Sequence, residues 1–334
     1  MRIVNDVRLI DNKQWESLIQ TSATSSIFQT REWYYFCTTQ SVIETFVFAL
    51  INDADILKGV VVGYIQKDGG KLKQYLSKRA IINGGPLLAN DISRTELDAL
   101  LSALVISLKR NAIYIESRNL SDYSLYKNIF CKNKFNYEEH LNFIVNTVSE
   151  EIIQSKLHKS KKRKIKSTLK ENVYIEESPT VDEVKKYYQL LNRLYTTKVK
   201  TPLFPMSFFL DLYKQPFSKF LLVKKENEII GGQVVLTLKE HTTYLFYLCG
   251  EDGKYKGIYP SVLGTYAGIQ YAFKNNCHKC DMMGAGKPNE DYGVRDFKAE
   301  FGGDLVEYGR FQFISNPLLY KLGKIGVMLL KKFA

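Results

Sequence analysis

Between Asp281 and Gly303 the sequence reads Asp-Met-Met-Gly-Ala-Gly-Lys-Pro, Asn-Glu-Asp-Tyr-Gly-Val-Arg-Asp, Phe-Lys-Ala-Glu-Phe-Gly-Gly. Gly284 and Gly286 let the backbone turn tightly and let a ligand come close. Asp291, Arg295 and Lys298 stand at i, i+4 and i+7, so on a helix they share one face, while Phe297 and Phe301 share another. Gly302-Gly303 ends such a helix. A strand over Lys279–Met283, a glycine-rich loop and a short helix with cations on one side and phenylalanines on the other suit a polar or anionic ligand. The loop is not a Walker loop, because Asp281 stands six positions before Lys287 and Pro288 replaces the magnesium-binding Ser/Thr. A dinucleotide fingerprint needs a third glycine that is missing.

Other chemistries are poorly supported. Four histidines and no nucleophile elbow argue against a hydrolase. Cys277-His278-Lys279-Cys280 has metal-like spacing, but a structural zinc needs four ligands. No second pair accompanies it, since the other histidines are 140, 158 and 241. We therefore expect no metal and read the thiols as buried. What remains is chemistry that needs no nucleophile or metal of the protein's own, in which positioning and a fixed cation facing developing negative charge do the work.

The elements that position these residues follow from the rest of the 334-residue chain, long enough for two domains. Apolar content of 45% and aromatic content of 13% indicate large cores, and the net charge of +12 favours an anionic partner. Five scattered cysteines do not form a secreted disulfide framework. The start carries Arg2, Asp6, Arg8 and Asp11 with no apolar signal core, and no run reaches the roughly 18 apolar residues of a spanning helix. The expectation is a cytoplasmic protein.

Thr45–Ile51 and Ile56–Ile65 read as a hairpin, Leu72–Leu76 as a further strand, Ser93–Lys109 as an amphipathic helix, and His140–Asn146 as a strand. Gln66–Gly70 half-matches an acetyltransferase pyrophosphate loop, but Asp-Gly-Gly at a strand end is an ordinary turn. The pattern then recurs: strand Val173–Glu176, helix Val181–Thr197, strands Phe220–Lys224, Ile229–Leu238 and Thr243–Leu248, helix Pro260–Phe273. An alternating run, Leu305–Phe313, follows the opening stretch. The fold class is α/β with mixed sheets. The domains are 1–150, 151–315 and a basic amphipathic tail helix, 316–334, whose apolar spacing (Leu318, Leu322, Ile325, Leu329) suits a last packed helix or an anionic membrane surface. Ser155–Lys170 is the most basic segment, and Lys161, Lys162, Arg163 and Lys164 within it are candidate phosphate contacts, against the alternative of a solvated linker helix.

The run Gly286…Phe297-Lys298-x-x-Phe301-Gly302-Gly303 resembles the closing motif of the Fem-type (FemA/FemB) aminoacyltransferases, within the GNAT acetyltransferase superfamily. Ser25–Gln29 with Trp33, Ile229–Gly232, Tyr244–Gly250 and Tyr259-Pro260-Ser261 are similar to other parts of that family, so the resemblance covers about residues 20–312. It implies two tandem GNAT-like domains with mixed, largely antiparallel sheets flanked by helices. It makes Lys298 and Phe297 the catalytic candidates. Lys287, Arg295, Gly286, Asp281 and Tyr247 follow as substrate-binding candidates, with Tyr244, Arg193 and Lys198 near an acceptor groove. The basic segment matches one that Fem-type proteins have at the entry to the second domain, though the long helical hairpin some of them carry is absent. The implied function is transfer of an aminoacyl group from aminoacyl-tRNA to an amine of a nucleotide-sugar or peptide cell-wall precursor, with no tightly bound cofactor. Two alternatives remain open: an acyl-CoA-dependent N-acyltransferase for surface polysaccharide or lipid, and a non-enzymatic nucleic-acid binder on the same fold.

Overall fold

Apolar runs rich in Val, Ile and Phe make Ile43–Ile51 and Leu57–Gln66 strands, and they pair antiparallel from Ile43↔Gln66 to Ile51↔Leu57. They form the centre of one of two sheets in the computed structural model, which describes residues 1–66 and 78–333, with side chains to residue 326. The expected strand Leu72–Leu76 and most of the Gln66–Gly70 turn lie outside the described residues.

In chain order the strands of the first half are β1 (Arg2–Val4), β2 (Ile43–Ile51), β3 (Leu57–Gln66), β4 (Arg79–Gly84), β5 (Leu87–Leu88), β6 (Tyr114–Asn119) and β7 (Asn136–Glu138). Those that follow are β8 (Leu141–Asn146), β9 (Val173–Glu176), β10 (Ser218–Lys225), β11 (Glu228–Leu238), β12 (Thr242–Gly250), β13 (Lys279–Asp281), β14 (Asp304–Glu307) and β15 (Arg310–Ile314).

The first sheet runs β1-β2-β3-β4-β6-β15-β7, with β5 beside β3, and the second runs β9-β10-β11-β12-β13-β8-β14. The two orders correspond place by place. Each has a parallel pair, β4 with β6 and β12 with β13, at the same position. In each the sixth place goes to a strand out of chain order: β15, from the far end of the chain, in the first sheet, and β8, the first strand of its unit, in the second. This duplicated mixed architecture matches the expected fold class.

Contacts accordingly group residues 1–140 with 307–334, and 141–306 by themselves. The sequence reading carried the first domain on to residue 150 and read Leu305–Phe313 as one run. In the structure that run is two strands in different sheets, because Tyr308 and Gly309 (φ 61°) separate them. The basic segment also divides, into helices Glu150–Lys156 and Lys159–Lys170, with extended Leu157 and His158 between.

The first unit packs the helix Arg94–Leu108, capped reciprocally by Ser93 and Glu96, over its sheet. The incoming β15 is held on both faces. Phe311 is fully buried and stacks on Phe130 at 3.9 Å. On the other face Glu116 accepts hydrogen bonds from Arg118 and Arg310. Burial works against the Glu116 charge, yet the two guanidiniums hold its pKa down to about 2. Phe311→Ala would empty this contact, and we expect a loss of about 3–5 kcal/mol of stability, read as a lower urea midpoint. A change under about 1 kcal/mol would show that β15 is not integral to the first core.

Candidate functional site

Just past β13 the chain makes a one-residue excursion. Met282 N–H donates to Phe143 O and Ala285 N–H to Leu141 O, a three-residue step against two residues of β8. Met283 (φ 54°) and Gly284 (φ 77°) take left-handed conformations there. For Met283 that is a strained choice, so something must hold it.

Two groups do. From β8, the side-chain oxygen of the buried Asn142 accepts from Gly284 N–H at 2.9 Å, while its amide donates to Asp281 Oδ1 at 2.8 Å. Asp281 Oδ1 also accepts Met283 N–H at 2.7 Å. From the helix Gly293–Ala299, the Lys298 ammonium donates to three successive carbonyls: Met282, Met283 at 3.1 Å and Gly284 at 2.6 Å. Three acceptors match the three N–H of an ammonium, so the cradle suits the charged form. The residue is partly exposed along its stem while its tip is enclosed. Burial lowers its pKa from 10.5 to about 8, against the attraction of Asp281. Asp281, fully buried, is pushed up to about 6 by the same loss of water, with Asn142, Met283 N–H and Lys298 opposing.

The helix that carries Lys298 is only seven residues long, too short to stand alone, and is clamped. The Lys161 ammonium lies 4.0 Å from the Phe297 ring centre and 5.1 Å from that of Phe301, a cation–π pair of contacts. The Glu300 carboxylate accepts from Ser160 Oγ, its carbonyl accepts from His158 N–H at 3.0 Å, and it faces the Lys161 ammonium at 3.9 Å. Gly302 has φ 82°, and a Cβ there would stand 2.5 Å from Lys156 O, so the motif glycine is required by both conformation and space. Burial lowers the Lys161 pKa, with Glu300 opposing. Lys161 was grouped with exposed cations in the sequence. Only 2% of it is accessible, because it faces the two rings, whereas Lys162 and Arg163 are exposed and Lys164 reaches toward the Tyr259 ring at 5.3 Å.

Arg295 is not an open anion contact. Its guanidinium donates to Ala285 O at 2.9 Å, Pro288 O at 3.2 Å and Lys287 O, strapping the loop to the helix. Lys287 is exposed on that loop. Gly286 (φ 76°) lies under Tyr292, whose ring a Cβ would meet at 2.9 Å. Tyr292 also lies near Tyr195, whose pKa burial raises to about 12 with Tyr292 adding to the rise. Tyr195 in turn lies 6.0 Å from Tyr247, and Tyr247 5.0 Å from Phe209. The structure thus brings Lys298, Phe297, Asp281, Gly286 and Arg295 together, with Tyr247 in an aromatic wall linked through Tyr292. Tyr244 is buried in the sheet, and Arg193 pairs with Glu251. Asn142 and Tyr292 were missed by the sequence reading, as an asparagine opening a strand and a tyrosine before a glycine carry no signal alone.

Asp281 gives a pH signature. In the range between 3.8 and about 6 the folded state holds the extra proton, so this group makes stability fall as pH rises through that range. Asp281→Asn is expected to remove a limb of up to about 3 kcal/mol, measured by urea unfolding at steps across it. The same slope in variant and wild type would contradict the assignment.

Residues 211–326 match the FemAB family. No curated protein matches the sequence. A FemX crystal structure superposes with a TM-score of 0.70 at 14% identity, covering 96% of this chain and 99% of that one. A tandem GNAT protein from the clavulanic acid biosynthesis pathway gives 0.62 at 9% identity, covering 95% and 99%. L-PGS from Bacillus licheniformis gives 0.55 at 13%, covering 96% and 97%. The FemAB match is carried by residues 211–326 and the duplicated sheets superpose on a tandem GNAT protein, so the chain is similar to Fem-type proteins over that stretch and shares the tandem GNAT fold throughout.

Proposed function

We propose that this protein transfers an aminoacyl group from aminoacyl-tRNA to an amine of a cell-wall precursor on the cytoplasmic side, with Lys298 at the reaction centre. The observation that carries the reading is the enclosed Lys298 ammonium on three carbonyls at the end of β13. The acceptor amine attacks the ester carbonyl of the donor. A C–N bond forms, the C–O bond to the ribose breaks, and the amine proton leaves with the ribose hydroxyl. Negative charge gathers on the carbonyl oxygen in between, where a preorganised cation counts most. The longest of the three bonds, to Met283 O at 3.1 Å, is the one Lys298 exchanges for that oxygen. Phe297 excludes water beside it.

The donor assignment rests on two features of the second unit. The helix Lys159–Lys170 exposes Lys162, Arg163, Lys166 and Lys170, a footprint for nucleic-acid phosphates. The helix Pro260–Lys274 begins where β12 ends, and its Ser261 N–H is taken by the Asp252 carboxylate at 3.3 Å. A carboxylate at that N-terminus repels a pyrophosphate, which weighs against coenzyme A there. FemX and L-PGS are the similar structures that lend the transferase reading its context.

Lys298→Ala is expected to lower single-turnover transfer from charged tRNA about a hundred- to a thousandfold, with tRNA affinity retained. The rate of the wild type should fall as pH rises past about 8, where the ammonium is lost. Unchanged turnover in the variant removes Lys298 from the reaction, and saturable acetyl-CoA binding without tRNA binding overturns the donor.

A further inference from the structure

Among the residues whose side chains are described, the helix Pro317–Phe333 meets the first sheet through Tyr320. Tyr320 meets Tyr114 edge-on at 5.4 Å and donates its hydroxyl to Gln312 Oε1 at 2.6 Å. Asn316 caps the helix start, its side chain accepting from Leu319 N–H at 3.0 Å. The opposite side is apolar. Leu318 is 68% exposed, Leu322 53% and Ile325 42%, at the i, i+4, i+7 spacing that places them in one stripe. An amphipathic helix of a globular protein normally turns that stripe inward. Here the anchoring tyrosine faces the sheet and the leucines face away.

The charge around the stripe selects its partner. The helix carries Lys321, Lys324, Lys331 and Lys332 and no acidic residue. Lys321 and Lys324 are exposed on one side of the stripe, Lys321 at its edge and Lys324 further round toward Tyr320. Lys324 also lies 4.7 Å from the Tyr320 ring, and its hydrogen bond to the Tyr320 side chain raises its pKa, with Tyr114 on the neighbouring strand and Glu138 the other groups near this end. An apolar stripe edged by lysines is complementary to acyl chains beneath anionic headgroups. A second copy of this chain would set lysines against lysines along such a helix. No helix among the described residues is long and apolar enough to cross a membrane.

We infer that the helix Pro317–Phe333 lies in the surface of an anionic lipid bilayer, with Leu318, Leu322 and Ile325 among the acyl chains and Lys321 and Lys324 at the headgroups. The helix stays docked to the first sheet through Tyr320 while it does so, so binding needs no unfolding. The surface holds the protein as a peripheral one, and salt loosens it by screening the lysines.

Flotation of the full chain with phosphatidylcholine vesicles, with and without phosphatidylglycerol, tests this. Binding is expected to the phosphatidylglycerol vesicles and to weaken with salt. Leu318→Glu and Leu322→Glu should each lower partitioning about tenfold, and Lys321→Gln should lower it less and reduce the salt dependence. Melting temperature and circular dichroism should stay unchanged, since these side chains touch solvent. Absence of binding to phosphatidylglycerol vesicles overturns the inference, as does binding that both leucine variants retain. A dimer in light scattering that Leu322→Glu dissociates would also overturn it, by showing that a second copy covers the stripe.

Discussion

A lysine ammonium that leaves bulk water must find acceptors for three protons and a counter-charge, or lose its charge. Lys298 finds the acceptors in three consecutive carbonyls, which an ordinary strand cannot present to one point. The backbone reaches that geometry only by taking Met283 and Gly284 through left-handed conformations. Asn142 and Asp281 hold the excursion from beneath, and Arg295 holds its far end. The rest of the second unit can be read as support for this cradle. β8 matters here because it pairs with β13 and delivers Asn142 to it, so the first strand of the second unit supports the cradle.

The same economy explains the motif residue by residue. Phe297 and Phe301 form a face that Lys161 covers, and Glu300 ties the C-terminal end of the short helix to His158 and Ser160. Gly302 fits a turn pressed against Lys156, and Gly303 lies against the backbone of Ile144. Part of the strongly basic segment is therefore structural. One lysine holds the motif helix, while its neighbours Lys162 and Arg163 remain at the surface. The buried cation and the surface cations differ only in which side of one helix they occupy.

Local features were legible in the sequence and long-range ones were not. The continuous apolar runs of β2, β3, β10, β11 and β12 and the capped helix after Ser93 follow from residue type and spacing. The glycines at 284, 286 and 302 marked real left-handed turns. The places of β8 and β15 in their sheets were not legible, because a strand's alternation fixes its two faces but not which strands it joins. Lys161 looked like its neighbours because only the tertiary contact with Phe297 distinguishes it. Arg295 looked like an anion contact because its partners are backbone carbonyls, which no sequence pattern displays. The corresponding strand orders of the two sheets express a duplication that the residues themselves no longer show.

The central claim is that the Lys298 ammonium is charged, enclosed and poised at the reaction centre. Its side-chain nitrogen can be followed directly by heteronuclear magnetic resonance of the selectively labelled full chain, assigned with Lys298→Arg. The account predicts a titration midpoint near 8, displaced when a non-hydrolysable aminoacyl-adenosine analogue binds. A Lys298 signal that titrates near the ordinary lysine value of about 10.4 and ignores the analogue would contradict it.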